Sequence, residues 1–117
     1  MITSLAAQIV RRSCLALVAI LAVSASRPAA AADVSVDQVG QKFSPNSITV
    51  KVGDTVHFKN GDDVTHNIQV TDSDDSNEDE GLQKPGEEIK QTFDKAGQFS
   101  VHCAIHPRMK MTIAVKP

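Results

Sequence analysis

The chain has 117 residues, a formal net charge of −2, two cysteines, no Trp and no Tyr. A chain of this length has room for one domain of ordinary size. A charge this close to zero, on the acidic side, disfavours nucleic acid as a partner, because binding to phosphates relies on clustered Lys and Arg.

The N-terminal segment, residues 1–32, has the three parts of a secretory signal peptide. Arg11 and Arg12 precede an apolar run over residues 14–23, and a block of small residues ends at Ala32. The run is too short to span a bilayer, which needs about 20 apolar residues. We therefore expect export to the periplasm, by the Sec or the twin-arginine route.

We expect cleavage before Asp33, to within one residue, which leaves residues 33–117 as a single domain without a membrane anchor. This domain has 85 residues, of which 9 are basic and 14 acidic, so its net charge is −5. Cleavage also removes Cys14 and leaves Cys103 as the lone thiol. In an oxidising compartment a lone thiol indicates an intermolecular disulfide, a buried inert side chain, a nucleophile or a metal ligand.

The mature chain consists of short runs in which apolar and polar residues alternate, and no stretch has helical periodicity. These runs cover residues 34–39, 48–52, 56–58, 66–71, 89–93, 99–103 and 111–115. Turn residues separate them, as at Gly53-Asp54 and Pro85-Gly86. The acidic segment, residues 72–80, interrupts the pattern and is expected to form a loop. Seven or eight strands in 85 residues predict an all-β fold, a small antiparallel β-sandwich.

Side chains that bind metals are expected to meet at one end of this sandwich. Cys103 ends an inward-facing strand, His106 follows three residues later across a loop, and His66 begins another strand. Met109 and Met111 come shortly after His106. A thiolate, two imidazoles and a thioether suit copper in both oxidation states and offer little to magnesium or calcium. Zinc accepts Cys and His as well, although a Met ligand is unusual for zinc.

Motifs spread over nearly the whole mature chain carry a family resemblance. They are Phe43-Ser-Pro45, Ile48-Thr-Val50, Gly53-Asp54-Thr-Val56-His-Phe58-Lys-Asn60, His66-Asn67, Pro85-Gly86, Gly97-Gln-Phe99 and Cys103-Ala-Ile-His106-Pro-Arg-Met109. This ordered set resembles the cupredoxins, the type 1 blue copper proteins, and especially the amicyanin, pseudoazurin and plastocyanin group. The resemblance implies an eight-stranded Greek-key β-sandwich that binds one type 1 copper ion through His66, Cys103 and His106.

The resemblance leaves two choices for the axial ligand. Amicyanin-like loops run Cys-x-x-His-x-x-Met, which matches Met109, and they share the proline that is Pro107 here. Plastocyanin and pseudoazurin loops place the Met two residues later, which matches Met111. Because Met111 shares a strand face with Ile113, it could also be a core residue. We favour Met109 and keep Met111 as the alternative.

The resemblance further implies a periplasmic one-electron carrier that is not an enzyme, with electrons passing near the edge of His106. The expected donor is a quinoprotein dehydrogenase, the expected acceptor a c-type cytochrome, and the protein itself is expected to be a monomer. A periplasmic copper carrier or buffer is the alternative function, but such proteins usually have open Met- and His-rich sites without a cysteine. A copper enzyme such as a nitrite reductase would need a second copper site and a second domain.

Four further features receive an interpretation. Asn67 resembles the family asparagine that ties the ligand loops together. His57 and His102 alternate outward and are interpreted as solvated strand residues. The acidic segment is hypothesised to steer a basic partner, such as a cytochrome, toward the protein.

Overall fold

The structure of the protein is a computed structural model that describes residue 20, residues 22–24 and residues 30–117. Most of the expected signal peptide, residues 1–32, lies outside the described residues, and so does Cys14. Within the part of the chain that is described, no helix has the length and apolar character needed to cross a membrane.

Strands dominate the described chain, as the alternating pattern predicted. They are β1 (Asp33–Gln38), β2 (Phe43–Ser44), β3 (Ser47–Lys51), β4 (Thr55–Asn60), β5 (His66–Thr71), β6 (Asn77–Gln83), β7 (Glu88–Thr92), β8 (Gly97–His102) and β9 (Lys110–Lys116). One sheet has the order β2-β1-β4-β7 and the other β3-β9-β8-β5-β6. The predicted all-β sandwich is confirmed. The described residues form nine strands where about eight were expected, and the strands that show no apolar alternation are the two-residue strand β2 and the strand β6.

Most strand pairs are antiparallel, as expected, but two pairs are parallel, so the sandwich is mixed. β1 pairs with β4 in parallel, and β3 pairs with β9 in parallel, while the other pairs are antiparallel. After β2 the chain crosses to the opposite sheet as β3 and then returns as β4, which therefore runs in the same direction as β1. Side-chain alternation identifies strands but carries no information on their relative direction.

The acidic segment is a second difference from the sequence prediction. Only its first half is a turn, in which Asp72 Oδ1 accepts hydrogen bonds from the N–H groups of Asp74 and Ser76 at 2.8 and 3.0 Å. Its second half belongs to β6, an edge strand paired with β5. The first three residues of β6 are exposed and polar, so no apolar alternation marks the strand. Charged edge strands of this kind resist pairing with other chains.

Inward side chains of both sheets form one apolar core, as period-two strands require. Its members include Val36, Val56, Phe58, Ile68, Val70, Val101, Ile113 and Val115. Phe43 and Phe58 pack edge to face, with ring centroids 6.2 Å apart. Cys103, Met109 and Met111 belong to the same buried cluster. The core therefore extends to the loop between β8 and β9 and fixes the position of its sulfur atoms.

Candidate metal centre

The structure brings three of the predicted ligands together. His66 is the first residue of β5, Cys103 directly follows β8, and His106 lies in the loop before β9. One ligand atom from each residue lies within 4.8 Å of the other two. His106 Nδ1 is 3.1 Å from His66 Nδ1 and 3.7 Å from Cys103 Sγ. Two imidazole nitrogens and a sulfur thus converge on one point.

The three side chains differ in their exposure to solvent. Cys103 and His66 are fully buried, whereas His106 is half-buried. The two imidazole rings meet edge to face, with centroids 5.0 Å apart. Beside His106, Ile105 and Pro107 are exposed, and with Met109 these residues line a shallow surface depression. The cluster is therefore closed toward the core, and His106 is its member nearest the surface, in a depression that Gln41 and Arg108 also line.

Asp62 fixes the orientation of His66. The Nε2 atom of His66 lies 2.7 Å from Asp62 Oδ2. Because an ionised carboxylate can only accept hydrogen bonds, Nε2 carries the proton and donates it. The lone pair of His66 is then on Nδ1, which faces the cluster. A histidine that binds a metal through one nitrogen commonly donates from the other to a carboxylate or carbonyl in this way.

Asp62 is itself held by the turn after β1. Its Oδ1 accepts a hydrogen bond from the N–H of Gly40 at 2.6 Å, and its Oδ2 accepts one from the N–H of Gln41 at 2.9 Å. Burial acts to raise the pKa of Asp62, but the hydrogen bonds from Gln41, His66 and Gly40 outweigh burial and lower the pKa. The alternating pattern of the sequence ends before Asp62 and does not predict its role. Its one signal is an acid four residues before a candidate ligand.

Asn67 connects the two ligand-bearing segments, in agreement with its interpretation from the sequence. Its N–H donates to Cys103 Sγ at 3.3 Å, and its Oδ1 accepts from the N–H of Ala104 at 3.3 Å. Both contacts join the start of β5 to the loop after β8. Hydrogen bonds to the sulfur of a ligand and to its loop restrict the positions that the ligand can take.

A β-bulge in β6 supports Asn67 from the other side. The register places Gly81 opposite Ile68 and Asp79 opposite Gln69, so Glu80 is the extra residue. Asn67 Nδ2 donates to Asp79 Oδ1 at 2.9 Å and to the carbonyl of Gly81 at 3.0 Å. The hydrogen bonds from Asn67 and from the N–H of Gly81 lower the pKa of Asp79. The edge strand β6 thus holds Asn67 through the side chain of Asp79 and the carbonyl of Gly81.

The two candidate axial ligands occupy different settings. Met109 lies in the loop with His106; its N–H donates to the His106 carbonyl at 2.9 Å, and its own carbonyl accepts from the N–H of Cys103 at 3.1 Å. Met111 lies on β9 opposite Val101 and shares its inward face with Ile113. Both side chains are buried. Met109 is therefore the methionine that is bonded into the ligand loop itself.

The remaining histidines lie outside the cluster. His102 is half-buried at the end of β8. His57 is less solvated than the alternation suggested, because its Nδ1 contacts Glu88 at 2.8 Å and its Nε2 lies 3.3 Å from Asp33. The hydrogen bonds with Glu88 and Asp33 raise the pKa of His57. His57 thus links three neighbouring strands on the outer face of its sheet.

The donor set fits copper. Within the described residues the cluster contains two imidazoles and a thiol and no carboxylate. Nitrogen together with soft sulfur is the combination that copper prefers, and hard cations such as magnesium bind oxygen instead.

Comparisons with known proteins agree with this chemistry. A family model described as copper binding proteins, plastocyanin/azurin family, matches residues 30–116. Amicyanin of Paracoccus versutus is 30% identical over 104 residues, which cover 82% of this chain and 78% of that protein. Methylamine utilization protein MauL of Methylorubrum extorquens is 33% identical over 91 residues, which cover 76% of this chain and 80% of that protein. The solved structure of an amicyanin mutant in its reduced state has a TM-score of 0.66 and 28% identity, covering 72% of this chain and 82% of that one. The chain therefore belongs to the plastocyanin/azurin family of copper-binding proteins, and copper is its cofactor.

Proposed function

We propose that the protein is a one-electron carrier that binds a single type 1 copper ion through His66, Cys103, His106 and Met109. The observation that carries the proposal is the convergence of the sulfur of Cys103 with the Nδ1 atoms of His66 and His106. When bound, copper supplies the Cu(II)/Cu(I) couple. The chain's own task is to hold its ligands in one arrangement, and it carries out no reaction on a substrate.

The surroundings of the ligands support a site that changes little when an electron is gained or lost. Cys103 and His66 are buried, which excludes water from the inner side of the cluster. Asp62 holds His66, and Asn67 holds Cys103, each through direct hydrogen bonds. Ligands that are fixed by the protein have little freedom to rearrange, and a small rearrangement favours rapid electron transfer.

Met109 is favoured over Met111 as the fourth ligand. Its backbone is hydrogen-bonded to both Cys103 and His106, so its position depends on the same short loop. Met111 instead fills an inward position of β9 opposite Val101, where a core residue is expected. The proposal therefore assigns packing to Met111 and metal binding to Met109.

His106 is the proposed point of electron entry and exit. It is the least buried of the three clustered ligands, and apolar side chains at Ile105 and Pro107 surround it at the surface. A partner that covers this patch would lie close to the imidazole of His106, with Ile105 and Pro107 on the apolar side of the contact and Gln41 and Arg108 on its polar side.

The visible spectrum of the copper-loaded protein tests the proposal. We expect intense absorption from charge transfer between the Cys103 thiolate and Cu(II), which disappears with a mild reductant and returns on reoxidation. Cys103→Ala is expected to abolish this absorption. A colourless Cu(II) complex would overturn the type 1 assignment and would favour a copper carrier or buffer.

Two pairs of matched variants test the ligands one at a time. His106→Ala is expected to remove the charge-transfer band, whereas His102→Ala, an imidazole at the neighbouring strand end, is expected to preserve it. Met109→Leu is expected to shift the optical and paramagnetic spectra strongly, and Met111→Leu only slightly. A strong shift with Met111→Leu alone would move the axial assignment to Met111.

Export and partners belong to the same proposal. Residues 1–32 contain the signal peptide, with cleavage before Asp33 to within one residue, and the mature protein works as a periplasmic monomer. The similarity to a protein named for methylamine utilization supports a quinoprotein dehydrogenase as donor, with a c-type cytochrome as acceptor. Stopped-flow reduction by such a dehydrogenase and reoxidation by such a cytochrome would test both partners. Rates no faster than those with an unrelated redox protein would count against them.

The acidic segment, residues 72–80, is the proposed steering surface for a basic partner. It carries six carboxylates, of which Asp72 and Asp74 have Lys95 as a near neighbour, at 4.0 and 3.3 Å. Oppositely charged surfaces raise association rates, and salt screens the effect. We expect the rate constant for association to fall with ionic strength and to fall when Asp75 and Glu78 are replaced by Asn and Gln. A rate that is insensitive to both changes would contradict steering.

A further inference from the structure

The backbone immediately before β1 is part of the sheet. The carbonyl of Ala32 accepts a hydrogen bond from the N–H of Thr55 at 3.0 Å. The N–H of Ala32 donates to Asp54 Oδ1 at 2.8 Å. Since the parallel pairing of β1 and β4 begins at Asp33 and Thr55, Ala32 extends this ladder by one residue.

Both carboxylate oxygens of Asp54 accept backbone hydrogen bonds, one of them from Ala32. Its side chain is buried, with the residue 6% exposed, and its second oxygen accepts from the N–H of Lys51 at 2.8 Å. The hydrogen bonds from Ala32 and Lys51 lower the pKa of Asp54, so the group is an ionised carboxylate at neutral pH. A chain that began at Asp33 would leave Oδ1 of this carboxylate and the N–H of Thr55 without these partners. For the carboxylate of Asp54, which belongs to a buried residue, the loss of a hydrogen-bond donor is costly.

The small residues at the end of the signal peptide are compatible with cleavage at either of two peptide bonds. Signal peptidases require small side chains at the first and third positions before the bond. Cleavage before Asp33 uses Ala32 and Ala30, and cleavage one residue earlier uses Ala31 and Ala29. The sequence pattern therefore allows both bonds, and only cleavage before Ala32 keeps both hydrogen bonds of this residue in the mature protein.

We propose that the leader is removed between Ala31 and Ala32, so that Ala32 is the first residue of the mature protein. Water hydrolyses this peptide bond: Ala31 leaves with a carboxylate, and Ala32 gains an α-ammonium group. That ammonium takes the place of the N–H that contacts Asp54, and the hydrogen bond becomes one between opposite charges, which is stronger than the neutral one. The inference rests on the export that the proposed function includes.

The N-terminus of the exported protein tests the cleavage bond. The full chain is expressed in a bacterium with a periplasm, and the periplasmic protein is analysed by intact mass and N-terminal sequencing. We expect Ala32 as the first residue. An N-terminus at Asp33, or at any other residue, overturns this inference and leaves the proposed export in place. A chain that is never cleaved overturns both.

A stability comparison tests the physical reason. Copper-loaded mature chains that begin at Ala32 or at Asp33 are each prepared with Asp54 and with Asp54→Asn. The Ala32 chain is expected to melt about 4–8 °C higher than the Asp33 chain, which corresponds to roughly one hydrogen bond to a buried group. Asp54→Asn is expected to reduce this difference, whereas the exposed control Asp63→Asn leaves it unchanged. Equal melting temperatures for the two chains would overturn the inference.

Discussion

The contact between Asp62 and His66 is expected to be the most sensitive polar contact around the metal site. Asp62→Ala removes the acceptor for His66 Nε2–H, at 2.7 Å, and for the N–H groups of Gly40 and Gln41. The His66 side chain is 0% exposed, so its Nε2–H becomes a buried donor that has lost its acceptor. A buried donor left unpaired costs about 1–3 kcal/mol. The two amides are in an exposed turn and can bond water, so they add little.

We therefore predict that Asp62→Ala lowers the free energy of unfolding of the metal-free protein by about 2 kcal/mol. For a domain of this size each kcal/mol corresponds to about 4–8 °C in melting temperature. Because the chain lacks Trp and Tyr, far-ultraviolet circular dichroism is the suitable probe of unfolding. The affinity for copper, measured by competition with a chelator, is expected to fall about 10- to 100-fold. Substitutions of residues that hydrogen-bond to a metal-binding histidine typically have effects of this size.

Two variants make this prediction sharp. Asp63→Ala removes the same charge from the next residue, which is exposed, and is expected to change the free energy of unfolding by less than about 0.5 kcal/mol. Asp62→Asn keeps one carbonyl oxygen that can accept from His66 and is expected to fall between the wild type and Asp62→Ala. If Asp62→Ala and Asp63→Ala were equally stable and bound copper equally well, the role assigned to Asp62 would be refuted.

Three other predictions concern His57, Gly81 and Asn67. Glu88 and Asp33 raise the pKa of His57 in the folded protein. The protonated imidazole therefore stabilises the fold fully at pH values below the pKa of His57 in the unfolded chain, which is about 6.5. This stabilisation is lost as the pH rises through the higher pKa of His57 in the folded protein. His57→Gln should thus lower the melting temperature more at pH 5.5 than at pH 9, and an equal loss at both would contradict this. Gly81→Ala should destabilise the metal-free protein by about 1–3 kcal/mol, since Gly81 has a φ of +98°, and an unchanged denaturation midpoint would argue against strain there. Asn67→Ala should cost about 1–3 kcal/mol and shift the charge-transfer band of the copper-loaded protein; an unaltered spectrum would mean that Asn67 does not act on the cysteine.

The strands of the apolar core could be predicted from sequence because each presents alternating inward side chains. Val56 and Phe58 on β4, for example, are both fully buried. β6 lacks this signal because it is an edge strand whose first residues face solvent. The parallel pairs could not be predicted either, since their direction follows from the crossing of the chain between the two sheets. Pairing direction is a property of the whole path of the chain.

The site shows the same division between local and non-local information. Cys103 and His106 are three residues apart in one loop, so spacing alone indicates that they can meet. Asp79 has no such signal, and Asp62 has only its position four residues before His66. Asp62 depends on the turn at residues 40–41, which is more than 20 positions away, and Asp79 depends on a bulge that shifts the register of β6 by one residue. Residues that orient a ligand are thus harder to predict than the ligand itself.

The edge strand β6 also supports the metal site through a hydrogen bond, in addition to the negative charge that it carries. Asp79 accepts a hydrogen bond from Asn67, which in turn donates through its backbone to the sulfur of Cys103. Asp62 and Asn67 therefore restrict the ligands through direct contacts, and the turn after β1 and the edge strand β6 act on the ligands indirectly, by holding Asp62 and Asn67 in place. Each of these contacts is a hydrogen bond between protein atoms. The arrangement of the ligands is consequently set by the fold, which is the property that a carrier needs if it is to exchange an electron without rearranging its site.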